Sequence, residues 1–137
     1  GEGFGEEALL SGAPRNATVI MRSEGILMRL TKQDFDELLK EPIVHLVSGD
    51  EVRALVQGGA GLIDVRTEDE FKRGAIKGSL NLPLYLLRLK ASTLEPGRRY
   101  VVYCDSGSRS CAAAFLLTQR GFEVSVLKGG LNALRGV

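Results

Sequence analysis

The sequence predicts an α/β fold over its last hundred or so residues, a five-stranded parallel sheet with helices on both faces, preceded by a truncated β-hairpin plus helix. Three observations carry this expectation. From Val44 onward, short apolar runs alternate with helical patterns, the order that βαβ crossovers require. Several runs, such as Leu62-Ile63-Asp64-Val65 and Tyr100-Val101-Val102-Tyr103, are continuously apolar or nearly so, as in strands buried on both faces. Two capping boxes, Ser48 with Glu51 and Thr67 with Glu70, mark helix starts directly after such runs.

The elements follow in order. Residues 17–21 and 26–30 are β-rich and split by the turn signal Ser23-Glu24-Gly25, which predicts a hairpin. Thr31 opens a helix, with Asp34 three residues on and Phe35, Leu38 and Leu39 on one face; Pro42 stops it. A strand is expected over 44–47. The helix after Ser48 carries an apolar stripe of Val52, Leu55 and Val56 and ends at Gly58-Gly59. A strand over 62–65 and a short helix from Thr67 to Gly74 come next. A brief strand over 79–82 ends at Pro83, and 84–89 reads as helix. After the Pro96-Gly97 turn come the strand 100–103, a helix from Ser110 to Arg120, a last strand over 124–127, and a Gly129-Gly130 turn into a final short segment.

Composition narrows the function. Lysine and arginine number 18 against 17 acidic residues, a balance too even for a dedicated nucleic-acid binder. No apolar run approaches the ~18 residues of a membrane span. No secretory signal pattern opens the sequence, and two cysteines do not make a disulfide scaffold. One histidine and two cysteines make a structural zinc site improbable, and no metal or cofactor is expected. The expectation is a cytoplasmic protein that binds neither nucleic acid nor membrane.

In a parallel sheet, function gathers where strand carboxyl ends meet loops. The strand 100–103 runs directly into Cys104-Asp105-Ser106-Gly107-Ser108-Arg109-Ser110 and then a helix. Gly107 permits a tight turn whose backbone N–H groups point at the sulfur. The helix N-terminus and Arg109 add positive charge. Together they favour the thiolate and cradle an anion beside it. The alternative is an inert, buried cysteine at a strand end. A cysteine phosphatase or arsenate reductase would also use such a cradle, but those loops place five residues between cysteine and arginine, and here there are four. Cys111 reads as helix packing rather than a resolving thiol, and His45 is too distant in sequence to pair with Cys104.

The Cys104, Gly107, Arg109, Ser110 pattern resembles the Cys-x-x-Gly-x-Arg-Ser loop of the rhodanese (sulfurtransferase) family. Asp64-Val65-Arg66 resembles the family's Asp-x-Arg strand end. Glu70-Phe71 with Gly74–Ser79, Asn81-Leu82-Pro83, and Leu127 with Gly129-Gly130 resemble further family stretches in the same order. The resemblance covers residues 43–137. It implies a sulfurtransferase in which Cys104 takes the outer sulfur of thiosulfate or a similar donor as a persulfide and passes it to a thiophilic acceptor. The substrate site would comprise Asp105, Ser106, Gly107, Ser108 and Arg109 with Asp64 and Arg66. Glu70 is expected to pair with Arg109 and order the loop. Ala75 replaces a usual histidine and Leu134 a frequent tryptophan. Asp105, acidic within the cradle, is expected to weaken activity toward thiosulfate. A non-catalytic docking or redox-sensing module is the rival role for the same fold.

Residues 4–19 run Phe-Gly-Glu-Glu-Ala-Leu-Leu-Ser-Gly-Ala-Pro-Arg-Asn-Ala-Thr-Val. This resembles the phosphate-binding cassette of cyclic nucleotide-binding domains. It implies that residues 1–41 are the end of such a jelly roll, with Gly5, Glu6, Ala8 and Arg15 as its nucleotide-binding residues. The first half of that roll is missing from the sequence, so the expectation is a remnant that meets cyclic nucleotide only within a longer parent protein.

Overall fold

A computed structural model describes residues 3–15, 17–38 and 44–135. Its sheet has five strands: β1 His45–Val47, β2 Gly61–Asp64, β3 Leu80–Asn81, β4 Arg99–Tyr103 and β5 Glu123–Leu127. Their spatial order is β1-β5-β4-β2-β3, and every pairing is parallel. The helices are α1 Glu6–Ser11, α2 Lys32–Leu38, α3 Gly49–Gln57, α4 Glu68–Arg73, α5 Leu87–Lys90, α6 Ser108–Gln119 and α7 Gly130–Arg135.

Side-chain alternation along the strands sorts the core into two layers. Tyr100, Val102 and Cys104 face one side with Ile63, Val126 and the small residues Ala112 to Ala114 of α6. Val101 and Tyr103 face the other with Leu62, Leu127, Val52 of α3 and Leu131 of α7. β4 lies between β5 and β2, which explains why Tyr100 to Tyr103 are all buried and why that stretch reads as continuously apolar. The alanines of α6 let the helix approach the sheet closely.

Both capping boxes form. The Ser48 and Thr67 side chains each accept the backbone N–H three residues on, and the Glu51 and Glu70 carboxylates each accept the N–H of the capping residue. Thr31 also caps as expected: its hydroxyl accepts the Asp34 N–H at 3.1 Å and donates to the Asp34 carboxylate at 2.6 Å. Leu39 and Pro42, the expected end of that helix, lie outside the described residues. The stretch 84–89 is less regular than predicted, a 3₁₀ turn over Leu84–Leu86 running into the single turn of α5. α6 begins two residues early because Gly107, at φ +101°, sets its start without any side-chain cap. The final segment is itself helical, as α7.

The hairpin is a correction. The described residues between 17 and 30 form no strand, and Ile26 and Met28 are 94% and 96% exposed. A two-stranded ribbon is marginal unless a third strand or a packing face supports it. Neither edge of the sheet, β1 or β3, takes these residues as a neighbour. The flanking parts of the segment do dock. α1 packs along α6, and Leu10 and Phe35, each 2% exposed, join the same buried layer as Val102 and Leu117. Arg88 closes on Glu7 at 2.7 Å. No helix among the described residues is long and apolar enough to cross a membrane.

Candidate active site

β4 delivers Cys104 to the carboxyl end of the sheet, and the neighbouring Tyr103 pins that end. Its hydroxyl accepts the Ile76 N–H at 3.1 Å and lies 2.9 Å from Ser79 Oγ. Burial pushes this phenol's pKa above its ordinary value. Cys104 itself has no exposed surface. The Gly107 N–H donates to Cys104 Sγ at 3.1 Å. Ser110 Oγ lies 3.4 Å from the same sulfur and donates to the Gly107 carbonyl at 3.0 Å. The twelve-residue α6 starts immediately behind the sulfur, so its N-terminal dipole adds to the N–H.

The loop is held from behind by α7. The Cys104 and Asp105 carbonyls accept the N–H groups of Leu131 and Asn132, each at 2.9 Å. That approach requires glycine at 130. A Cβ there would lie 2.3 Å from the Cys104 carbonyl oxygen and 2.5 Å from that of Asp105.

Two arginines organise the rim. Arg66, at the end of β2, is nearly buried with the fully buried Asp64 beside it. Arg66 Nε lies 3.0 and 3.1 Å from the two Asp64 oxygens, and Nη2 lies 2.7 Å from Oδ2. Nη2 also donates to the Gly74 carbonyl at 2.7 Å, and Nη1 reaches Asp105 Oδ1 at 3.2 Å. The Asp64 carboxylate raises the Arg66 pKa further above its ordinary value. Asp64 and Arg66 thus sit beneath the loop and brace it, rather than lining an open cradle. Asn81 completes the brace by donating to the Asp64 and Arg66 carbonyls at 3.1 and 3.0 Å.

Arg109 makes the expected pair with Glu70, and it is bidentate: Nη1 to Oε2 at 2.8 Å and Nη2 to Oε1 at 2.9 Å. The guanidinium holds the Glu70 carboxyl well below the usual carboxylate range. Because Glu70 also accepts the Thr67 N–H at 2.9 Å, one carboxylate caps α4 and anchors the first turn of α6. Asp105, expected as an acidic group within the cradle, lies between the two arginines, with Oδ1 at 3.2 Å from Arg66 Nη1 and Oδ2 at 3.7 Å from Arg109 Nη2. Ser106 is exposed and Ser108 partly so, and their hydroxyls are 3.4 Å apart. Cys111 is buried in the sheet-facing layer of α6 and forms no disulfide.

The structure therefore assembles Cys104, Asp105, Gly107, Arg109, Asp64 and Arg66 at one place. Sequence reading did not anticipate Ser110 against the sulfur, the Asn81 brace or the α7 clamp. The resemblance marks Ser110, Asn81 and Gly130, but only as family positions without a role.

The N-terminal residues form a separate group. Gly5, at φ +89°, precedes α1, which carries Glu6 and Ala8, and the Arg15 guanidinium donates to the Gly5 carbonyl. These four residues share a cavity of about 710 Å³ with Phe4, Arg88 and Phe115. Its wall is the carboxyl-terminal half of α6, away from Cys104.

The rhodanese-like domain family model matches residues 48–136. A sulfurtransferase of Allochromatium vinosum is 40% identical over 73 residues, spanning 53% of this chain and 68% of that protein. A thiosulfate sulfurtransferase of Pseudomonas aeruginosa is 30% identical over 92 residues, spanning 66% of this chain and 84% of that one. The crystal structure of a rhodanese-related protein from Thermoplasma volcanium superposes with a TM-score of 0.63 at 29% identity, over 67% of this chain and 91% of its own. With the match running from the capping box of α3 through the cysteine loop to α7, the chain belongs to the rhodanese-like domain family.

Proposed function

We propose that this chain is a sulfurtransferase that moves a sulfane sulfur from thiosulfate or a similar donor to a thiophilic acceptor through a persulfide on Cys104. The observation that supports this most is the Gly107 N–H aimed at Cys104 Sγ at 3.1 Å, at the head of α6. That N–H and the dipole of α6 both direct positive charge at the one sulfur that would attack a donor.

The thiolate attacks the outer sulfur of the donor. The donor's S–S bond breaks, its inner sulfur leaves with the bonding pair, and Cys104 keeps the outer sulfur as a persulfide. A nucleophilic acceptor then attacks that terminal sulfur and releases the Cys104 thiolate. Protein groups hold the geometry throughout. Glu70 fixes Arg109, Arg66 fixes Asp105, and α7 fixes the carbonyls of residues 104 and 105.

Intact-protein mass spectrometry after incubation with several sulfane donors tests the reading. One added sulfur atom on the wild type and none on Cys104→Ser is the expected result. A wild type that takes sulfur from no donor and transfers none to cyanide would favour the rival role, a docking or redox-sensing module.

A further inference from the structure

Resting on the sulfurtransferase reading, we propose that Asp105 makes this site select organic sulfane-sulfur donors of a single negative charge over the thiosulfate dianion. The argument begins with the charges around the loop. Among the described residues, Arg66 and Arg109 are the cationic side chains of the network that grips it, and three carboxylates, Asp64, Glu70 and Asp105, already engage them. Counted formally, two arginines against three carboxylates leave the ring one net negative charge. Between Cys104 and Arg109 the other side chains are two serines and the hydrogen of a glycine, so Asp105 is the sole charge the loop itself presents.

The positive features split into two groups. The Gly107 N–H and the α6 dipole lie at the sulfur and serve a single anionic sulfur atom. The Arg109 guanidinium lies at the rim and that of Arg66 beneath the loop, and both are committed. Arg109 spends its fork on Glu70, and Arg66 spends Nε and Nη2 on Asp64 and Gly74 and Nη1 on Asp105. Separating a partly buried guanidinium from its carboxylate costs far more than a rim contact returns. A dianion therefore meets the Asp105 carboxylate, about one-third exposed, whose two arginine partners are already engaged. A donor R–SO₂–S⁻ or R–S–S⁻ brings one charge fewer to that carboxylate.

The transfer balances without any further reagent. The Cys104 thiolate attacks the outer sulfur of R–SO₂–S⁻, the S–S bond breaks, and R–SO₂⁻ leaves with the bonding pair. The persulfide Cys104–S–S⁻ remains. Cyanide then takes the terminal sulfur as thiocyanate and restores the thiolate.

Steady-state transfer to cyanide from thiosulfate, methanethiosulfonate and a low-molecular-weight alkyl persulfide tests the proposal. At low ionic strength, wild-type kcat/KM for methanethiosulfonate should exceed that for thiosulfate by about tenfold or more, the scale on which local fields alter encounter. The persulfide arm distinguishes a thiosulfonate site from one for persulfides, and either winner over thiosulfate supports the charge rule. Raising salt to about 0.2 M, where the Debye length is below ~8 Å, should narrow the gap by raising the thiosulfate value. Asp105→Asn, nearly isosteric, should narrow it likewise. Thiosulfate matching or beating both monoanions, or a gap indifferent to salt and to Asp105→Asn, overturns the proposal. Failure of all three donors would instead overturn the sulfurtransferase reading on which it rests.

Discussion

Cys104 owes its position to its neighbours more than to itself. Alternation along β4 sends Val102 and Cys104 to the α6 side, and Tyr103 to the other, where its hydroxyl ties down Ile76 and Ser79. The carbonyls on either side of the loop's first peptide are then caught by α7. Gly130 is the residue that permits this catch, at φ +59° and with two carbonyl oxygens where its Cβ would go. Gly130→Ala should therefore cost roughly 1–3 kcal/mol from backbone strain alone, plus the displacement of the Cys104 loop. The expected result is a lower denaturation midpoint together with a lower kcat for sulfur transfer. An unchanged midpoint would show that α7 does not clamp the loop. This residue was visible in the sequence as a turn, but its role was not. A turn signal is local, whereas the clamp depends on the chain returning from β5 to the end of β4.

At the scale of elements, the helices and the buried strands were legible because each carries its own signal. Thr67 with Glu70 starts α4 through bonds made within four residues. The hairpin over 17–30 was misread for the opposite reason. β-propensity measures fit to a half-buried pleated surface, and these residues have no such surface beside them. Glu70 joins the two levels, since its capping role is local and its hold on Arg109 spans 39 residues. The second role produces a pH dependence. Arg109 depresses the Glu70 carboxyl in the folded protein, so its contribution is full above the unfolded value of about 4.3. It is lost as pH falls below that value toward the folded one. Glu70→Gln keeps an oxygen for the Thr67 N–H but removes the charge. The stability difference between wild type and Glu70→Gln should be largest near neutral pH and shrink between about pH 4.5 and about pH 2.5. Urea midpoints across that range measure it. A difference that stays constant with pH would mean the Arg109 pair contributes nothing to folding.

For the whole molecule, the decisive fact is that α6 is shared. Its first turn carries Ser110 at the sulfur and Arg109 on Glu70, and its later turns receive α1. Local patterns did not reveal that docking, because Phe35 read as an ordinary apolar position of its own short helix and the stretch holding Leu10 carried no helix reading. Strand order and helix docking are set by the summed burial of many side chains, which no short window contains. The core nevertheless counts Leu10 and Phe35 in the same layer as Leu117 and Val102. If the N-terminal residues fold as one cooperative unit with the sheet, Leu10→Ala should destabilise the entire chain by about 2–5 kcal/mol, the usual cost of emptying a buried leucine site. Ile26→Ala, on a side chain almost wholly in water, should change stability by less than about 0.5 kcal/mol. Denaturation followed by far-ultraviolet dichroism and by sulfur-transfer activity separates the possibilities. Coincident transitions that shift together in Leu10→Ala place α1 within the catalytic unit. A Leu10→Ala midpoint equal to that of the wild type would mean that α1 peels away from α6 at no cost, and that the sheet with its cysteine loop stands alone.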